Sequence, residues 1–325
     1  MSHGSSSLVS LRSSTREGAP GAWSLFSTWV PYVLGQRTRA IIVLRWVRFA
    51  AERQATLVAS LLAKRSPPTP LVWMTVEAKG LERVRPEVED ALLARLRELV
   101  PPALKAVVLA DEGFSEPRTL RRLDALGLDY VVRLDPDTVV FNDVEGCRPA
   151  AAWTPGSLRP GRVRDVRLTL ERIPVGALVC VKKGARETPW CLATSLRTAS
   201  ATTVVGIYSR LRREGPEVLT PEVFARMDLA AGGPHPPGQR DRLLLQGALV
   251  TELLTLLGAV GRGLGLSRPE PKRPARRGVR TLFQQGCIYY QALPLMPGSQ
   301  AHQLVAAFHD HLDDKPAFRA LLEAL

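Results

Sequence analysis

Apolar residues recur along this chain in runs short enough for strands and at spacings that suit helices, and their order predicts a layered α/β protein. Ile41 to Leu44 is a β-branched apolar run, continued by alternation through Trp46 and Phe49, and reads as a strand. Thr56 to Leu62 and Pro70 to Val76 read as two more, so three strands with short connections predict an antiparallel meander. Arg85 to Val100 then reads as an amphipathic helix, with Val88, Leu92, Leu96 and Leu99 on one face and Pro101-Pro102 ending it. Val107 to Ala110 suits a short buried strand that stops at Asp111. Gly113 supplies a turn before a helix over Pro117 to Leu126, and Tyr130 to Leu134 is the next strand.

Three strands, helix, strand, helix, strand is the order of a ribonuclease-H-like arrangement, an antiparallel trio whose first strand pairs with later parallel ones. The expected fold is α/β: a ribonuclease-H-like mixed sheet with helices, a β-rich insertion and a helical C-terminal part. Residues 1–22, rich in Ser, Gly and Arg, are expected to be disordered, and 23–138 to form the first part of the sheet domain. Residues 139–197 read as the β-rich insertion, with runs at Val163 to Leu170, Ala177 to Lys182 and Trp190 to Thr194. Residues 198–266 hold the second part of the domain, and 267–325 a basic linker and the C-terminal helices. Trp23, Phe26, Trp29, Val30 and Val33 recur at helical spacing with Pro31 interrupting, which predicts a short aromatic helix or two turns packed on the core. A helix from Ser200 places Val204, Tyr208 and Leu211 on one face, and Gly215-Pro216 stops it. Arg240 to Gly261 is strongly apolar and reads as a buried helix, while Gln300 to Leu312 and Pro316 to Leu325 close the chain as helices.

Charge narrows the function. Forty-four Lys plus Arg against thirty-one Asp plus Glu leave +13 over 325 residues, which favours a polyanionic partner such as nucleic acid, although Arg-rich composition also follows from a high-GC genome. The Pro/Arg/Lys stretch Ser267 to Arg280 reads as a solvated loop and as a candidate phosphate contact. Cys147, Cys180, Cys191 and Cys287 have no close paired spacing, so neither a zinc ribbon nor a disulfide framework is supported. With no unbroken apolar run of about 18 residues and no basic start followed by an apolar core, the expected location is cytoplasmic.

Asp111 stands where a strand ends, a place at which open α/β sheets present catalytic groups, and it could equally be the cap of the segment that follows. Phe26-Ser-Thr-Trp-Val-Pro-Tyr-Val-Leu34, Pro70-Leu-Val-Trp-Met-Thr-Val-Glu77, Leu109-Ala-Asp-Glu-Gly-Phe114 and Leu128-Asp-Tyr-Val-Val-Arg133 are joined, in order, by Pro189-Trp-Cys-Leu-Ala193, Arg240-Asp-Arg-Leu-Leu-Leu245 and Thr281-Leu-Phe-Gln-Gln-Gly-Cys287. In these stretches, spread over residues 23–325, the chain resembles the DDE transposases of bacterial insertion sequences, in the insertion sequence 4 group. The resemblance implies DNA as partner, transposon ends as substrate, a homodimer on paired ends, and cleavage and strand transfer by three carboxylates that hold two Mg2+ ions.

Carried over residue by residue, the resemblance assigns Asp111 as the second metal-binding carboxylate, with Glu112 where the family has Arg. Arg210 and Glu214 satisfy the family's Arg-to-Glu interval, four apart on one helix face, which makes Glu214 the third carboxylate and Arg210 a DNA contact. A solvated charge beside Arg212 and Arg213 is the plainer account of Glu214. At the first carboxylate, the family's Asp-Trp-Thr is matched by Arg45-Trp46-Val47, a change of two charge units that leaves a donor-only side chain. Glu52 and Glu77 are the nearby acids that could substitute.

Overall fold

The computed structural model describes residues 22–62, 68–182, 184, 187–213, 236–266 and 281–324. The expected disorder before Ala22, the stop at Gly215-Pro216, the basic stretch 267–280 and Glu214 itself lie outside these residues. The chain divides into two compact units, Val33–Thr220 and Met1–Tyr32 with Pro221–Leu325.

The first unit is built on one mixed sheet. β1 (Arg39–Phe49), β2 (Gln54–Leu61) and β3 (Thr69–Glu77) form the antiparallel meander that their apolar runs predict. β4 (Lys105–Ala110) and β5 (Asp129–Leu134) lie parallel to β1, giving the order β3-β2-β1-β4-β5 of a ribonuclease-H-like sheet. The β-rich segment that follows extends the same sheet. β6 (Val139–Asn142), β7 (Gly146–Pro149), β8 (Gly161–Leu168), β9 (Ile173–Val181) and β10 (Trp190–Thr194) continue it as β10-β9-β8-β6-β7, with β10 antiparallel to β5. Ten strands therefore share one hydrogen-bonded ladder.

Parallel strands need crossovers, and here the connections are helices. Between β3 and β4 runs α2 (Leu81–Leu99), which starts four residues before the position its apolar periodicity marks, with Leu81 buried at its first position and Pro86 in its second turn. Between β4 and β5 comes α3 (Pro117–Ala125), and after β10 comes α4 (Ala201–Arg213). Val204, Val205, Tyr208 and Leu211 of α4 share one buried cluster with Val43, Val107, Leu109, Val131, Val179 and Leu192 of the strands. Trp46, on the opposite face of β1, donates from Nε1 to Glu89 of α2 at 3.0 Å. The two faces of the sheet are thus closed by different helices.

The second unit is helical. α1 (Ala22–Leu34) begins in it and runs unbroken through Pro31, the short aromatic helix of the two alternatives the spacing allowed. One lost hydrogen bond is outweighed by a buried face on which Phe26, Trp29 and Val30 have no exposed surface. α5 (Pro237–Gly263), α6 (Leu282–Ala292), α7 (Gly298–Asp313) and α8 (Pro316–Glu323) complete it, with Leu257, Tyr289 and Leu304 as a buried core. By length and composition α5 is apolar enough to cross a membrane, and 44% of its most apolar window is buried within the protein. Gly258 and Gly286 let α5 and α6 touch backbone to backbone: a Cβ on either would fall on the carbonyl oxygen of Leu282 or Leu254.

Candidate functional site

Asp111 follows the last residue of β4 directly, and the register of the parallel strands fixes its neighbours. Val43 of β1 pairs with Leu109 of β4, and Leu109 with Val131 of β5. The pairing stops at Val43–Leu109 and at Ala110–Val132; two residues beyond Leu109 and its partners, Arg45, Asp111 and Arg133 make a row at the strand ends, and strand alternation gives Arg45 and Arg133 the face of Val43 and Val131. Arg133 in turn pairs with Leu192 of β10. This is the face that α4 covers.

The acid itself is exposed, and its Oδ1 accepts from the backbone N–H of Gly113 at 3.2 Å. Asp111 therefore caps the single tight turn Glu112–Phe114, one of its two sequence readings. Arg85 of α2 clamps the same turn by donating to the Gly113 carbonyl, while its Nε holds Glu89 at 2.7 Å. Its guanidinium also lies over the Phe114 ring, 5.5 Å from the centroid. Glu112, where the resemblance has Arg, stands with its Oε2 3.8 Å from Nε of Arg133, beyond hydrogen-bond range. That Nε is buried without a hydrogen-bond partner among the described residues.

Arg133 is the site residue that sequence reasoning missed. It closes the landmark Leu128-Asp-Tyr-Val-Val-Arg133, and strand alternation alone gives it the parity of Val131. Its proximity to Asp111 is a consequence of register, which periodicity does not encode.

Arg210 donates from Nη2 to the Leu62 carbonyl at 3.4 Å, and the Leu62 N–H bonds to Ile41. That contact lies four strand positions before Arg45, roughly 13 Å from the row at 3.3 Å per residue. Arg210 and Asp111 are thus not brought together. α4 is described as far as Arg213, and Glu214 lies outside the described residues. Glu77 pairs with Gln54, and Gln54 with Phe49, again four positions from Arg45 and on strands beyond β1, while Glu52 sits in the turn joining β1 to β2. Neither acid occupies the row.

Two Mg2+ ions about 4 Å apart need several anionic oxygens converging on them. Here the strands on either side of β4 each carry an arginine in the row, and guanidinium nitrogens offer donors only. The row does not suit the metal pair.

Strand order and crossover helices together define a mixed α/β sheet of ribonuclease-H-like order. No family model matches the chain, and no curated protein matches it significantly. Among solved structures it is similar to the crystal structure of endonuclease V from Streptomyces avermitilis, at 15% identity over 69% of this chain and 88% of that one, with a TM-score of 0.29.

Proposed function

We propose that this protein is a DNA-binding member of the insertion-sequence transposase lineage, working in the cytoplasm on transposon-end DNA, with metal-dependent strand transfer lost at its first carboxylate. The ordered landmarks and the β3-β2-β1-β4-β5 strand order support the lineage. The observation that carries the loss of chemistry is the row Arg45–Asp111–Arg133. DNA transposition and recombination are the processes the scaffold served, and the remaining task is to hold the backbone phosphates of a DNA end. A dimer on paired ends is the expected assembly.

A second reading retains DDE chemistry, with Glu214 and a further acid completing the site around Asp111. What favours it is α4, which packs on the same sheet face as Arg45 and Asp111 and leads into Glu214.

Calorimetry with Mg2+ and Mn2+, on the native chain beside Arg45→Asp, separates the two. Under the first reading the native chain takes up no metal at the site and does not nick transposon-end DNA, while Arg45→Asp gains metal binding. Metal binding and nicking by the native chain would establish the second. Metal binding by neither chain would place Glu214 away from Asp111.

A further inference from the structure

Cys180 of β9 and Cys191 of β10 are directly opposite one another in antiparallel register. Both are buried, at 1% and 0% exposure. The S–H of Cys180 donates to the carbonyl of Ala150, at 3.5 Å. Opposed residues in antiparallel strands have Cα atoms roughly 4.5–5.5 Å apart, inside the span of about 4.4–6.8 Å that a disulfide bridges, and their Cβ atoms leave the sheet on the same side. The next strand carries a cation: Arg133 of β5 follows Val132 and precedes Leu134, the partner of Cys191.

The two sulfurs are unequal. The neighbouring Cys180 thiol, and then the Arg133 charge, draw the Cys191 thiol below the ordinary range against the opposing effect of burial, and Cys180 beside it is pushed up. Cys180 is held as a thiol by its bond to Ala150, which leaves Cys191 as the attacking sulfur.

We propose that Cys180 and Cys191 form a peroxide-sensitive dithiol that closes to a cross-strand disulfide joining β9 to β10. Hydrogen peroxide is the oxidant because it is small enough to enter a site that a larger disulfide reagent would have to pry open. The Cys191 thiolate attacks one peroxide oxygen; an S–O bond forms, the O–O bond breaks, and hydroxide leaves. The Cys180 sulfur then attacks the Cys191 sulfenic sulfur, the S–S bond replaces the S–O bond, and the Cys180 thiol proton departs with that oxygen as water. Two thiols lose two electrons, and one peroxide becomes two waters.

The test is a hydrogen peroxide titration of the folded full chain. Thiols are counted after denaturation, and linked peptides are identified by mass spectrometry without reductant. We expect the loss of two of the four thiols, a Cys180–Cys191 linkage, and full recovery with dithiothreitol. In Cys180→Ser the reaction stops at a sulfenic acid on Cys191 that dimedone captures. Survival of the Cys180 and Cys191 thiols at a dose that oxidises the exposed Cys147, or linkage through Cys147 or Cys287, would overturn the proposal. The native chain alone decides this should the serine variant not fold.

Discussion

A carboxylate buried where a helix meets a sheet has to be met by donors, and Glu89, 5% exposed, meets three: Nε1 of Trp46, Nε of Arg85 and the hydroxyl of Thr119 at 3.2 Å. It ties β1 to α2 and α3 just beneath the Asp111 turn. Glu89→Ala leaves Nε1 of Trp46 and the buried Thr119 hydroxyl without this acceptor and Arg85 with the Gly113 carbonyl, and is expected to cost about 1–3 kcal/mol in urea unfolding, whereas Glu89→Gln, which keeps one acceptor, costs less. In the helical unit Tyr32 donates to Oε1 of Glu252 at 2.7 Å and stacks on Phe318. Burial first, then the Glu252 charge and that bond, raise the phenol above its ordinary range. A folded-state value above the unfolded one means stabilisation that is complete below pH ~10 and fades as pH climbs toward the folded value. Tyr32→Phe is therefore expected to lose about 1–3 kcal/mol at pH 7 and less at pH 11, read from denaturant curves at both.

Helix against helix, the deciding contact is the one between α5 and α6. Gly286→Ala would gain about 1 kcal/mol of helix propensity, yet its methyl would meet the Leu254 carbonyl, so net destabilisation above about 2 kcal/mol is expected by thermal unfolding. Elements of this kind differ in how far the sequence announces them. Ile41 to Leu44 and Val107 to Ala110 are apolar runs bounded by polar residues and turn signals, and both lie in strands. α6 announces itself by another device: Thr281 and Gln284 make a reciprocal capping box, a spacing readable in the chain that was noticed only as part of a landmark. β6 and β7, four residues each, carry too little alternation to stand out, and α1 passes through its proline because its aromatic face is buried, a tertiary cause. The site divides the same way. Asp111 at a strand end and Arg45 on β1 were legible; Arg133 beside them was not, since no local pattern states which residues two strands will align.

For the molecule as a whole, the excess of +13 sets the terms of DNA binding. With roughly six to ten phosphates contacted, the slope of log K against log salt is expected between about −5 and −9, and a flat dependence in a fluorescence titration would remove DNA as the partner. The mixed sheet also has a property that concerns the life of the protein before it binds anything. In a five-stranded sheet β5 would be an outer strand; here β10 occupies that side, and the ladder ends instead on β7, four residues long and closed by Pro149. A nascent or clipped chain that lacks residues 139–194 would offer β5, apolar and unpaired along one side, as a template to its neighbours. The β-rich segment thus guards against self-association, and a truncated chain should be recovered from cells as aggregate.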